Sequence, residues 1–304
     1  MDMQRQILEL KEQVLSRESL PVDISRYDSI VVAGMGGSGV TSLILSDLYQ
    51  ERPVFSVMGY DLPKFVDKKS LFIAVSYSGN TEETLSCLEQ ALERGCDAVA
   101  ITSGGKLAER CSDRIMVPAG IQPRSALGYM VMPLINTFLG LTDADRKRIS
   151  DAIAGMFRRE NEIRTHARRI VERKMLPVFI GDTSSRGVVT RWRTQINENS
   201  KLIAYSCFLP EANHNDTVWM ANRSWPEKDI TVLSGGEPRI EKRIRAMEKL
   251  TGLTFNRISH SGGVLERNFA WIAYGDMLSY HIAVERGVDP EDVSVLTRLK
   301  NEIA

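Results

Sequence analysis

Ser76-Tyr-Ser78-Gly-Asn-Thr81 places three hydroxyls at i, i+2 and i+5, between an apolar run (71–75) and a helical pattern that starts near Thr81. At a helix start the free N–H groups and the helix dipole attract an anion. Three hydroxyls beside them can hold a phosphomonoester dianion without lysine, arginine or metal. An N-cap would account for one such hydroxyl. It does not account for three, nor for a second Ser-Gly loop, Gly34-Met-Gly-Gly-Ser38-Gly39, which follows the apolar run 29–33. That loop matches GxGxxG by letter, a dinucleotide fingerprint. Its glycines suit equally a tight turn and a close backbone approach to any anion.

Four other residues could carry chemistry. Glu198 lies between Asn197 and Asn199, late in a helical pattern, and His214 lies in Asn213-His-Asn-Asp216. Arg124 follows Pro123, and Lys300 stands in a C-terminal helical pattern. By residue type alone each has an ordinary reading, since Glu and Lys are mostly solvated and the histidine sits among turn-forming residues. His166, His260 and His281 read as a helix-surface, a loop and a helix residue. No HExxH, EF-hand or paired His/carboxylate spacing suggests a metal site, and no cofactor is expected.

The elements that must position these residues read as α/β. Short apolar runs at 29–33, 54–57, 71–75, 97–101 and 114–117 alternate with helical patterns at 41–48 and 81–94. Runs without polar alternation are strands covered on both faces, and their alternation with helices predicts a parallel α/β sheet. A long charged helix (about 143–174) follows, and then the pattern restarts: strand 176–181, helix 186–199, strand 230–233, helix 237–251, strand 254–258, helix 270–286. Gly34 and Ser38 match Gly181 and Ser185, and Ala74–Ser78 aligns with Val232–Gly236. This is a diverged duplication, with domains expected over 1–150 and 151–304. The second copy has Glu237 near the position of Thr81, so one phosphate site per chain is expected.

Length and charge agree. A chain of 304 residues suits two domains. Lys plus Arg and Asp plus Glu both number 39, so no global field draws the chain to nucleic acid or an anionic membrane. Cys87, Cys96, Cys111 and Cys207 show no CxxC spacing, and reduced thiols in a cytoplasmic protein are expected. Residues 1–20 read as an amphipathic helix with Ile7, Leu8, Leu10, Val14 and Leu15 on one face, not as a signal peptide. The apolar stretch 127–141 is too short and interrupted to span a membrane.

Gly-Met-Gly-Gly-Ser-Gly-Val and Ala-Val-Ser-Tyr-Ser-Gly-Asn-Thr-Glu-Glu-Thr resemble the sugar isomerase (SIS) domain. Ala98–Gly105, Pro123-Arg124-Ser-Ala-Leu, Asn197-Glu-Asn-Ser-Lys201, Leu209–Asn215 and Lys300 extend the resemblance over nearly the whole chain. They make it similar to the bifunctional phosphoglucose/phosphomannose isomerases of archaea and some bacteria. The resemblance implies two SIS domains, each a parallel, doubly wound, flavodoxin-like sheet flanked by helices, a sugar phosphate as substrate, and one site per subunit completed in a homodimer. It implies phosphate contacts from Gly37, Ser38, Ser76, Ser78 and Thr81. Glu198 would move the proton between C1 and C2, and Arg124 would stabilise the enediolate. His214 of the neighbouring subunit would open the ring, helped by Lys300. In that family a Thr-Pro pair begins seven residues before the lysine, where it leaves room for rotation about C2–C3. Here Val293 and Ser294 stand there, a departure that bears on the C2 preference.

Two alternatives remain at this level. A dinucleotide-dependent oxidoreductase would use GxGxxG, with Asp61 as the ribose-binding acid, and leaves the hydroxyl loop unexplained. A non-catalytic sugar-phosphate regulator built on SIS domains is expected to carry a DNA-binding module, and no basic segment stands out.

Overall fold

The computed structural model describes residues 2–222 and 226–303, without the side chains of Lys300, Asn301 and Ile303. The first half runs α1 (Met3–Leu8), α2 (Leu10–Gln13), β1 (Ser29–Ala33), α3 (Gly36–Leu48), β2 (Val54–Val57), β3 (Ser70–Val75), α4 (Glu82–Glu93), β4 (Ala98–Thr102), α5 (Gly105–Arg110), β5 (Arg114–Met116) and α6 (Leu127–Leu139). The second half runs α7 (Asp143–Phe157), α8 (Glu160–Glu172), β6 (Leu176–Gly181), α9 (Arg186–Ser200), β7 (Tyr205–Phe208), α10 (Asp216–Ala221), β8 (Lys228–Val232), α11 (Pro238–Thr251), β9 (Asn256–Arg257), α12 (Val264–Arg286) and α13 (Ser294–Ile303).

Both sheets are parallel. The strand orders are β2-β1-β3-β4-β5 and β7-β6-β8-β9. They share one winding, the flavodoxin-like order that the SIS resemblance implies, so each sheet has its switch point between its first and third strands. Every residue of β3 is buried, as are Ile30–Ala33 of β1 and Val99–Thr102 of β4. That is why these strands read as unbroken apolar runs.

Several elements differ from the sequence expectation. β7 carries mixed burial at a sheet edge and leaves no apolar run to detect. α5 is a six-residue helix in a glycine-rich loop. The charged helix is two helices, with α7 ending at Arg158 and α8 opening after Arg159, and both pack on α12. The N-terminal helix breaks at Glu9, so Ile7, Leu10 and Val14 are buried while Leu8 and Leu15 face solvent. His166 is not a surface residue: it is buried, with Nε2 2.7 Å from Asp229 Oδ1 and Nδ1 3.0 Å from Tyr274 Oη. The four cysteines are buried and unpaired. Among the described residues no helix is long and apolar enough to cross a membrane.

One apolar core joins the halves. It includes Val40 and Ile44 of α3, Val131 and Ile135 of α6, Val188 and Trp192 of α9, and Phe269–Ala273 of α12. α12 is enclosed from Asn268 to Ser279, so it is apolar nearly all round. α3 and α9 cross at Gly187, where a Cβ would lie 2.7 Å from Ile44 N. Asp47, near the end of α3, accepts from Gly187 N at 2.7 Å and Arg186 Nε at 2.8 Å. The first half therefore caps the helix that carries Glu198.

Gly187→Ala must push the two backbones apart. It should destabilise the protein by about 1–3 kcal/mol, read as a lower urea midpoint at unchanged slope. A loss below about 0.5 kcal/mol, within the ordinary range of a surface change, would show that the crossing yields freely.

Candidate active site

The hydroxyl loop follows β3 and opens α4. Thr81 occupies the N-cap position, yet its hydroxyl makes no cap bond to the helix. It lies instead 2.8 Å from Ser76 Oγ, which also accepts from Gly79 N at 3.2 Å. Ser78 is exposed and its Oγ accepts from Asn80 N at 3.3 Å. Two hydroxyls thus pair beside an uncapped helix start, with a third at the rim. A neighbouring loop holds this one in shape. Ser103 donates from N (2.9 Å) and Oγ (2.6 Å) to Tyr77 O, and Leu107 N donates to Gly79 O at 2.9 Å. Gly79 has φ +69°, and a Cβ there would fall 1.7 Å from Gly104 O. Ile-Thr-Ser-Gly-Gly (101–105) is a brace for the hydroxyl loop.

The glycine loop lies beside it, because β1 pairs with β3. A Cβ on Gly34 would meet Val75 O at 2.8 Å, and one on Gly39 would meet Gly34 O at 2.7 Å. These glycines serve close backbone packing. Ser38 is buried with its Oγ 3.6 Å from Met130 Sδ, so its hydroxyl turns to the core in this structure. Gly37 sits over Arg124, where an added Cβ would be 3.4 Å from the arginine Cα. Tyr77 Oη donates to Pro118 O (3.0 Å) and accepts from Ile121 N (3.1 Å), which ties the hydroxyl loop to the segment leading into Arg124.

A pocket of about 350 Å³ is bounded by Gly36–Gly37, Arg124, Glu198, Lys201, Val293 and Leu296 among others. Arg124 comes from a short 3-10 turn before α6 and is buried. Its Nε donates to Asn199 Oδ1 at 2.6 Å, Nη1 to Gln122 Oε1 at 3.2 Å and Nη2 to Pro290 O at 2.7 Å. Glu198 Oε2 lies 3.5 Å from Arg124 Nε, with the carboxylate side chain 37% exposed. Burial lowers the arginine's pKa from its ordinary value, and the Glu198 carboxylate acts against that shift. The pocket therefore pairs a partly exposed carboxylate with a cation held by three other partners.

Behind it lies a buried ion pair. Asp276 of α12 accepts from Arg191 Nε at 2.9 Å and Nη2 at 2.7 Å, and from Gln195 Nε2 at 3.1 Å. Arg191 Nη2 also donates to Arg124 O at 2.8 Å. Asn199 Nδ2 donates to Ser279 Oγ at 2.9 Å. Arg191, Gln195, Asp276 and Ser279 escaped the sequence reading because their partners are far apart in the chain. Lys201 escaped it too, although it closes the Asn-Glu-Asn-Ser-Lys run. It ends α9 at φ +50° and reaches the carbonyls of Asn199 and Asp289. Burial and the nearby Arg124 lower its pKa.

Not every expected residue comes to the pocket. His214 is exposed at the end of a 3-10 turn and does not line it. Val293 does line it, whereas Ser294 opens α13 with its N–H on Asp292 Oδ1 at 2.9 Å. The Lys300 side chain lies outside the described residues. In the second sheet, carboxylates occupy the corresponding helix starts. Asp47 and Asp182 serve the β6–α9 turn, and Glu237 Oε2 accepts from Ile240 N at 2.9 Å at α11. Among the described residues no three His, Cys, Asp or Glu side chains converge as a metal site.

Asp276→Asn leaves Arg191 buried without a counter-charge. It should cost about 3–5 kcal/mol of stability, the range for breaking a buried pair on one side. Chemical unfolding would measure it. A cost under 1 kcal/mol would mean that water or another group solvates Arg191.

A family model for the SIS domain matches residues 23–139, and one for the bacterial phospho-glucose isomerase C-terminal SIS domain matches residues 159–303. The bifunctional phosphoglucose/phosphomannose isomerase of Thermoplasma volcanium is 43% identical over 308 residues, covering 100% of both chains. That of Thermoplasma acidophilum is 42% identical, covering 100% of this chain and 98% of its own. Among solved structures, the C-terminal domain of glucosamine-fructose-6-phosphate aminotransferase from Francisella tularensis superposes with a TM-score of 0.78 at 16% identity, covering 95% of this chain and 98% of that one. The last likeness shows the fold alone. With two SIS domains in tandem and full-length identity above 40%, this chain belongs to the bifunctional phosphoglucose/phosphomannose isomerase family.

Proposed function

We propose that the protein interconverts glucose 6-phosphate and mannose 6-phosphate with fructose 6-phosphate, through a cis-enediol and with Glu198 as the proton carrier. The observation that carries this is the Glu198 carboxylate 3.5 Å from buried Arg124, in a pocket walled by the glycine loop at the start of α3. The names borne by the relatives agree with it.

The phosphate would rest on Ser76, Ser78 and Thr81 and the uncapped start of α4, with Gly37 and Ser38 alongside. Helix N–H groups and hydroxyls suffice for a dianion, so the reading requires no metal. The open-chain aldose would then extend toward Glu198. The carboxylate takes the C2 proton, and the C–H electron pair becomes the C1–C2 double bond of an enediolate. The positive charge of Arg124 opposes the negative charge that develops on the sugar oxygens. The C1=O π pair moves onto O1 as the double bond forms. Glu198 then returns its proton to C1, O2 becomes the C2 carbonyl oxygen, and the proton of the O2 hydroxyl passes to O1, which gives the ketose. A carboxylate that is neither fully solvated nor locked in a bidentate pair is suited to receive and release one proton.

Ring opening is assigned to His214 from a second copy in a homodimer, with Lys300 assisting. Exposure of His214, away from the pocket of its own chain, supports its use across an interface. Val293 gives the pocket an apolar wall where the enediol would rotate about C2–C3, so that one base serves both C2 epimers.

Glu198→Gln keeps the shape and removes the base. Turnover should fall by about 100- to 10,000-fold while sugar-phosphate binding changes little, as read by kcat and by equilibrium titration. Near-normal turnover would exclude Glu198 as the proton carrier. For the shared site, Glu198→Gln and His214→Ala chains are mixed and allowed to exchange subunits. Activity should recover toward about a quarter of the native value, because one of two sites in each hybrid holds both native groups and hybrids make up about half of a random mixture. If verified hybrids stay inactive, each site uses its own His214.

A further inference from the structure

The second sheet has a cavity of its own, about 460 Å³ in volume, at the carboxyl ends of β6 and β8. This is the switch point of that sheet, the place where doubly wound folds bind ligands. Its wall includes Asp182, Pro210, Gly235, Arg239, Arg243 and Arg267. The isomerase reading uses none of them.

The helix starts here do not bind an anion as those of the first sheet can, because Asp47, Asp182 and Glu237 already fill them. The arginines remain. Arg239 is spent on Glu237, with Nε 2.8 Å from Oε1. Among the described residues, Arg243 and Arg267 have no ion-pair partner. Arg243 Nη1 donates to Asn213 Oδ1 at 3.1 Å. Arg267 is set in place without a counter-ion. Its Nη1 donates to Gly262 O at 3.2 Å, its Cζ lies 5.9 Å from the Trp271 ring centroid, and its Nε is buried with no partner. Gly235 leaves room for it, since a Cβ there would be 2.6 Å from Nη2. A pre-organised guanidinium without a carboxylate is suited to a planar or tetrahedral oxyanion, which it binds through paired N–H groups.

We propose that this cavity is a second anion site, taking a phosphomonoester dianion on Arg243 and Arg267. It would also touch the isomerase. Asn213, the neutral partner of Arg243, immediately precedes His214, and Pro210 of the same loop lines the cavity. This link rests on the proposed assignment of ring opening to His214: a dianion that draws Arg243 away from Asn213 releases the loop that presents the histidine, so occupancy here would regulate that group.

Amide chemical shifts of the labelled full-length protein, titrated with inorganic phosphate, test the site directly. Gly235, Gly236, Ile240 and Asn213 should shift and saturate together. Arg243→Ala should weaken that saturation by about tenfold or more, the effect of losing one charge-assisted contact. Arg267→Lys, which keeps the charge and loses the fork, should weaken it as well. The shifts of Ser78–Glu82 should titrate separately and ignore both substitutions. Absence of saturable shifts around Gly235, as would also occur if a second copy of the chain covers the cavity, overturns the proposal. Saturation unchanged in both folded variants overturns it too. Loss of the Ser78–Glu82 response alone would count against the isomerase site and leave this one standing.

Discussion

Asp276 sits inside α12, where water cannot solvate its carboxylate, and burial raises its pKa. Three donors from α9 compensate it, two from Arg191 and one from Gln195. A buried pair is tolerated when its remaining hydrogen-bonding capacity is also filled, and here Arg191 fills part of its own on the carbonyl of Arg124. One carboxylate in the second domain thereby fixes the 3-10 turn of the first domain that carries the pocket's cation. Three residues on, Ser279 accepts from Asn199 and its carbonyl accepts from Ser200 Oγ at 2.7 Å. The last turn of α9, with Glu198 on it, is therefore held against α12 on the same side as the ion pair.

The duplication explains why such a bridge is needed. Each domain offers a switch point, but the two have diverged in charge. The first keeps its helix starts open, with hydroxyls and glycines around them. The second closes its helix starts with carboxylates and supplies the acidic residue and its supports instead. The hydroxyl loop and Glu198 then lie on different domains, and their separation depends on the α3–α9 crossing. Contact at Gly187 and the capping of α9 by Asp47 make that crossing close and directional. A positioning error there would be transmitted along α9 to Glu198 and so to the geometry of the pocket.

The strands with both faces covered were legible as unbroken apolar runs, and so was the repeated winding. The hydroxyl loop was legible because Ser, Ser and Thr at that spacing exceed what capping explains. Asn197-Glu-Asn199 was legible only through resemblance, since a helical glutamate is ordinarily a solvated one. What stayed hidden depends on distant partners. Nothing local marks Asp276 as the counter-ion of Arg191, or distinguishes buried His166 from a surface histidine until Asp229 and Tyr274 are brought to it. β7 stayed hidden for the opposite reason: an edge strand half in solvent has no pattern to show. Ser38 was legible from its place in the glycine loop, whereas the 3.6 Å approach of its hydroxyl to Met130 Sδ was not, because that partner is distant in the chain.

The central claim is that one ligand spans both domains, its phosphate on the first and its reacting carbons at Glu198 on the second. A crystal structure with a five-carbon sugar-acid phosphate tests this most directly, because its carboxylate mimics the planar, charged enediolate. The phosphate should lie on Ser76, Ser78, Thr81 and the first N–H groups of α4, with the acid group between Arg124 and Glu198. A phosphate bound elsewhere, or an acid group beyond hydrogen-bond reach of Arg124, would contradict the account.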